Sequence, residues 1–237
     1  MRKIILLLVF SSLVFFSCKQ ESKVNTLSQE EIAAGWQLLF DGQSLDQWRN
    51  FKSDSMVGWA IEDSCMVALG LGGDHSHDII SKEQYENFEL YAEWKVTPEA
   101  NSGIFYLAQE LDSIKAIYEV APEYQVVDDE GWPTKLGDWQ KTAAYYAMIP
   151  ADSSKKKLNP VGTYNSSKIV VNKGRVEHWL NDVKLVEYEL WTPEWDSLKA
   201  INKWKDFPYY GTARNGHIGL QDHGKKVFYR NVKIRKL

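Results

Sequence analysis

The sequence predicts an all-β chain built as a β-sandwich or jelly roll. Short apolar runs of strand length recur at fairly regular intervals from Trp36 to the C-terminus. Turn-forming residues separate most of these runs, and helical periodicity is scarce. Many short strands with few helices must bury their apolar faces by sheet-on-sheet packing. The composition agrees: aromatic residues make up 13%, including 10 Trp and 12 Tyr. Rings at this density suit all-β cores and sugar-binding surfaces, where they stack on pyranose faces.

The N-terminus stands apart from that pattern. Arg2 and Lys3 precede an apolar run from Ile4 to Phe16, shorter than a typical membrane span. The run ends in "FFSC", a small residue before Cys18, as in a bacterial lipobox. Residues 1–17 are therefore expected to be a lipoprotein signal peptide, with Cys18 lipidated. Residues 18–34 follow as a tether, polar over roughly Lys19 to Gln29. The domain is expected to span 35–237, held at the bacterial cell envelope on the periplasmic or outer-membrane face. With Cys18 acylated, Cys65 has no intrachain partner, so packing and not a disulfide must hold the fold.

The elements follow in order. Ser28 to Ala34 reads as a turn or two of helix, with Ser28 as cap and Glu31 at the third position. "GWQLLFDGQSLDQWRN" carries an Asp41-Gly42 turn. The strand-like runs are then "GWAIEDSCMVALG", "NFELYAEWKVT", "SGIFYLAQ", "EYQVVDD", "HIGLQDHG" and "VFYRNVKIRKL". "SKIVVNKGRVEHWLNDVKLVEYEL" reads as a three-strand meander, turning at Asn172-Lys173-Gly174 and at Asn181-Asp182. Trp191 to Asp206 holds a second short helix. Two long loops, Gly131 to Lys157 and Thr192 to Asn215, carry Trp132, Trp139, Trp195 and Trp204. Such loops over a β-scaffold are expected to rim a binding site. No internal repeat and no second domain is visible.

Strand alternation sorts the polar residues by face. Phe88, Leu90, Ala92, Trp94 and Val96 share one face; Glu89, Tyr91, Glu93 and Lys95 share the other. Tyr124 and Val126 oppose Glu123, Gln125 and Val127. Ile218 and Leu220 oppose His217, Gly219, Gln221 and His223. Glu89 and Lys95 fit a solvated face. Gln and His beside Gly219 and Gly224, which leave space above the sheet, suit a concave polar groove. On this sorting Glu93, Glu123, Gln125, Gln221 and His223 are expected together.

The chemistry those residues support is narrower. Glu93 and Glu123 offer an acid/base pair for glycoside hydrolysis, though no local Glu-x-Asp-x-x-Glu pattern accompanies them. "GGDHSHD" offers Asp74, His75, His77 and Asp78 to a divalent metal, against the plainer reading of loop polars. His178 and His223 are alternative partners for Glu123 in a metal set. There is no Gly-x-Ser-x-Gly elbow, no phosphate loop and no dinucleotide fingerprint. Cys65 sits in an apolar run that suits a buried, inert thiol. A net charge of −4, with no basic cluster longer than Lys155-Lys156-Lys157, argues against nucleic-acid binding.

In order and spacing, five stretches resemble the 3-keto-disaccharide hydrolase domain family, from about Gly35 to Leu237. They are "GWQLLFDGQSLDQWRN", "FELYAEWKVTPEANSGIFY", "EYQVVDD", "VEHWLNDVKLVEYEL" and "GHIGLQDHGKKVFYRNVKI". The resemblance implies a concanavalin A-like jelly-roll β-sandwich, often a lipoprotein, that cleaves glycosides oxidised to a ketone at C3. It implies a glycoside or oligosaccharide substrate and a functional link to a sugar dehydrogenase that makes the ketone. A 3-keto group acidifies the C2 proton; a base removes it, and the C1 aglycone departs by β-elimination, after which water adds. On the matching positions, His223 or Glu123 is the base and Glu93 a second acid/base. Asn101, Gln125 and Gln221 bind hydroxyls, with Asp128, His178 and Trp179 as further substrate contacts. Arg230 polarises the ketone or makes a structural ion pair. Asn181 is followed by Asp182 where the family has Asn-Gly, a difference of turn geometry. A metal requirement stays open. So do two other functions, a non-catalytic carbohydrate-binding lipoprotein and a conventional glycosidase using Glu93 and Glu123.

Overall fold

A computed structural model describes residues 23–72 and 77–237; the expected signal peptide and Cys18 lie outside them. Two antiparallel sheets face each other across one main core, so the chain is an all-β sandwich. The strands are β1 (Gln37–Leu38), β2 (Trp48–Asn50), β3 (Trp59–Glu62), β4 (Cys65–Ala68) and β5 (Ile79–Tyr85). Then come β6 (Phe88–Val96), β7 (Asn101–Ala108), β8 (Glu123–Val127) and β9 (Asn165–Asn172). Last are β10 (Arg175–Leu180), β11 (Val183–Glu189), β12 (Gly216–Leu220) and β13 (Val227–Lys236). The larger sheet has 8 strands in the order β11-β10-β9-β6-β13-β4-β3, with β1 added against β13; the smaller has 5, ordered β2-β5-β12-β7-β8.

Local chemistry sets the connections. Asp63-Ser64, Lys173-Gly174 and Asn181-Asp182 all adopt positive φ (48°/57°, 52°/91° and 47°/64°). These are two-residue turns whose twist matches the flanking strands. Asp182 therefore supplies the left-handed position that glycine usually fills. α1 (Gln29–Ala33) has a full capping box between Ser28 and Glu31. α2 (Pro193–Ile201) is capped by Thr192 with Pro193 in its first turn, and a 3-10 turn (Lys203–Asp206) follows.

The meander and both helices fall where sequence pattern puts them. β5 does not: "IISKEQY" is buried at both ends and exposed in the middle, so it shows neither clean alternation nor a continuous apolar run. The chain is also fastened before residue 35. Asn25 is 4% exposed. Its Oδ1 accepts from the Asn231 N–H at 2.8 Å, and its Nδ2 donates to the Ser64 carbonyl at 2.7 Å.

Both faces of the smaller sheet are covered, but differently. Ile104, Tyr124, Val126, Ile218 and Leu220 enter the main core. On the opposite face a second cluster forms: Ile80 and Phe105 pack under Ile114, Ile117, Val120 and Ala121 from the β7–β8 connection. That connection shields one half of the outer face. The other half, formed by the ends of β7, β8 and β12, carries the polar groups.

Candidate active site

β8 begins the site. Glu123, Gln125 and Val127 alternate outward, while Tyr124 and Val126 fill the core, as the period of two requires. β7 lies antiparallel beside it, with Gly103 opposite Gln125 and Phe105 opposite Glu123. A side chain on Gly103 would overlap the Glu123 carboxyl. Glycine thus lets that carboxyl lie across the neighbouring strand.

β12 supplies the other wall. After Leu220 the Gln221 N–H still donates to the Gly103 carbonyl at 3.0 Å, and His223 pairs with Asn101. Between them Asp222 turns away: its N–H donates to Asp78 at 3.0 Å and its Oδ2 accepts from the Leu71 N–H at 3.1 Å. The eight residues "HIGLQDHG" are therefore a strand and its continuation. Gln221 and His223 are delivered to one face, and Asp222 braces the loop behind. Gly219 does not open space for a ligand, since Ile117 fills that position; Gly224, at φ +81°, has nothing close above it.

The groups meet in a cavity of about 290 Å³. Asn101, Glu123, Gln125, Gln221 and His223 form its sheet side, and Tyr118, Tyr146, Lys203 and Phe207 come from the covering loops. Glu123 is 3% exposed. Burial pushes its carboxyl up to about 8, with the nearby Lys203 charge opposing the rise. Gln125 donates to Asn101 Oδ1 at 3.2 Å. The Oε1 atoms of Gln125 and Gln221 are buried and accept no hydrogen bond among the described residues. Buried acceptors left this way call for donors from a ligand.

The remaining sequence candidates are elsewhere. Glu93 sits on the outer face of the larger sheet, where it accepts from Arg230 Nε at 2.7 Å and Asn231 Nδ2 at 2.9 Å. Arg230 also covers the Tyr164 ring at 3.6 Å. Face-sorting does not bring Glu93 and Glu123 together, because alternation gives parity within one strand and not which sheet the strand joins. His178 lies between the sheets, fully buried: Nδ1 donates to the Ala143 carbonyl at 3.2 Å and Nε2 accepts from the Tyr106 hydroxyl at 2.9 Å. Burial lowers its pKa to about 3, so it is neutral. Trp179 is on the outer face under Lys168, 4.0 Å from the ring centre. Asp128 is buried and accepts from the Glu99 and Gly131 N–H groups at 2.9 and 2.8 Å, holding the turn after β8. Of the residues proposed for a metal, Asp74 and His75 lie outside the described residues. Among the described residues no group of three His, Cys, Asp or Glu is placed to hold one.

The long loops also divide. Trp195 and Trp204 are buried, not on a rim. Trp204 stacks on Tyr210 at 4.2 Å, and Trp195 Nε1 donates to Tyr145 at 3.2 Å. A loop of that length needs a small core of its own, and these rings provide it. Trp139 (43% exposed) and Trp132, whose ring lies 6.4 Å from His223, are the ones left near the site. Sequence reasoning missed Lys203, Tyr118, Tyr146 and Phe207. The available signal was "KWKDFPYY", a lysine-aromatic cluster in a loop.

Comparison with known proteins agrees with this architecture. Residues 35–235 match the sequence profile of the 3-keto-alpha-glucoside-1,2-lyase-like domain. A protein of Bacteroides thetaiotaomicron named 3-keto-disaccharide hydrolase is 37% identical over 91% of this chain and 83% of its own length. A Parabacteroides distasonis protein solved as a candidate glycosyl hydrolase is 39% identical, covering 91% of this chain and 100% of that one, with a TM-score of 0.86. A second one from that organism is 25% identical over 85% and 99% of the two chains, with a TM-score of 0.63. The chain belongs to the 3-keto-alpha-glucoside-1,2-lyase-like domain family.

Proposed function

We propose that this family member is a carbohydrate hydrolase that cleaves glycosides carrying a ketone at C3 of the sugar. Glu123 is the base and His223 the acid. The observation that carries the reading is the buried Glu123 carboxyl, raised to about 8, beside two buried amide oxygens without partners among the described residues. A carboxylate with that proton affinity suits removal of a C2 proton acidified by a neighbouring ketone. As the C2–H pair becomes the C2=C3 bond, charge moves to the C3 oxygen. Return of the carbonyl then forms C1=C2 and expels the C1 oxygen, which takes a proton from His223 at the more open side of the cavity. Water adds across C1=C2 to give the free 3-keto sugar. Asn101, Gln125 and Gln221 hold the hydroxyls.

A conventional two-carboxylate glycosidase finds less support. Glu123 is the only carboxylate among the described residues lining the cavity. We also propose that the domain is lipid-anchored through Cys18 at the envelope and works after a sugar dehydrogenase that makes the ketone. The sequence pattern "FFSC" and the chemistry of the substrate support these two points.

The test compares nitrophenol release from a 3-keto-glucoside and from the plain glucoside, each with and without chelator. Release from the keto substrate alone is expected. Release from the plain glucoside overturns the reading in favour of direct hydrolysis. Release from neither, with measurable sugar binding, favours a binding module.

A further inference from the structure

Lys203 enters the cavity from the 3-10 turn after α2, a position that neither the strand pattern nor the family motifs single out. Three rings surround its ammonium group: Trp204 at 4.6 Å, Tyr146 at 4.8 Å and Tyr118 at 5.4 Å from their centres. Ring faces at these distances attract a cation but accept little hydrogen bonding. Among the described residues its N–H groups donate to no side-chain or carbonyl acceptor, and only the charge of Glu123 acts on it, although an ammonium has three N–H donors. Its side chain is exposed at the cavity mouth, and Glu123 lies near enough for each charge to act on the other. A cation positioned by three rings at the mouth of the cavity, beside Glu123 but donating no hydrogen bond to it, has its N–H groups free for an anion formed inside the cavity.

We propose that Lys203 is a catalytic residue: its ammonium group binds the oxyanion that forms at the C3 oxygen when C2 loses its proton. This rests on the reading of the site as one for 3-keto-glycosides. C2 and C3 are adjacent, and so are the charges of the base and the cation. Before the step the negative charge is on the Glu123 carboxylate. Glu123 takes the C2 proton and becomes neutral; the C2–H electrons form C2=C3, and the carbonyl π pair goes to the C3 oxygen. The negative charge thus moves from Glu123, to which Lys203 donates no hydrogen bond, to the C3 oxygen, to which the ammonium N–H groups donate, so the interaction strengthens as the charge develops. When the carbonyl re-forms and the C1–O bond breaks, the charge passes to the leaving oxygen, which His223 protonates. Lys203 keeps its own proton throughout. Because the stabilised charge develops in the transition state, the effect belongs in kcat.

The experiment uses the whole protein and a nitrophenyl 3-keto-glucoside. Lys203→Met keeps the apolar stem in the ring cage and removes the charge. Its kcat is expected to fall by roughly 100- to 1,000-fold with KM little changed. Lys203→Ala is expected to lose as much and to regain activity with added methylammonium, which a merely structural lysine would not allow. An unchanged melting temperature in either variant separates the loss from misfolding. A kcat within about threefold of wild type, or a loss confined to KM, overturns the assignment. If the wild-type protein itself does not cleave the keto substrate, the functional reading fails first, which is a different result from a retained kcat in the variants.

Discussion

Glu123 shows how one residue's environment sets both chemistry and stability. Its carboxyl is raised because it is buried. The base form is lost as pH falls below about 8, so kcat/KM is expected to rise with pH up to that region. A pH–rate profile checks this; an acidic limb near the ordinary carboxylate range would contradict it. The same shift costs stability. The unfolded chain releases the proton near 4.5, while the folded chain holds it to about 8. The favourable contribution of the protonated form is therefore complete below 4.5 and fades as pH rises through that window. Glu123→Gln is expected to add on the order of 3 kcal/mol at pH 8 and much less at pH 5. Urea melts at the two pH values measure it, and equal effects at both would refute the cause. Gly103→Ala makes a complementary test. Its new methyl group overlaps the Glu123 carboxyl, so activity should drop by roughly 100-fold while sugar binding survives in part.

At the scale of elements, the strands of the meander and of β6, β7, β8, β12 and β13 were legible because each alternates or turns by a local rule. Alternation also placed Glu123, Gln125, Gln221 and His223 on one side. It failed for Glu93 because partnership between strands is non-local: β6 pairs with β9 and β13 in the larger sheet, β8 with β7 in the smaller. β5 was illegible because its buried residues are divided between the main core, which takes Ile79 and Tyr85, and the second cluster, which takes Ile80. His178 looked like a site residue because an inward imidazole and an outward one have the same letter. Its ring is satisfied between the sheets by Tyr106 and Ala143. Glu93→Gln should accordingly leave kcat within about threefold of wild type. A large loss there would mean that the outer face of the bigger sheet matters to catalysis.

Considered as a whole molecule, the sandwich leaves one half of one sheet face open as the polar cavity and closes the rest. The β7–β8 connection covers the lower half with its own apolar cluster. The segment from α2 to Tyr210 then walls the open half, and Trp204 anchors it. The sequence marked these loops as aromatic, but whether a ring faces a ligand or its own loop core depends on packing that no local pattern records. Trp204→Ala should cost about 3–5 kcal/mol and loosen the lysine beside it, whereas Trp139→Ala, at an exposed ring, should change stability little. Thermal melts distinguish the two.

The most direct measurement of the central claim is the fate of the C2 hydrogen. A 3-keto-glucoside deuterated at C2 is cleaved in ordinary water, and the released sugar is weighed by mass spectrometry. Elimination started by Glu123 predicts a product that has lost the deuterium, with no product from Glu123→Gln. A released sugar that keeps its deuterium, or undiminished cleavage by Glu123→Gln, would contradict the account.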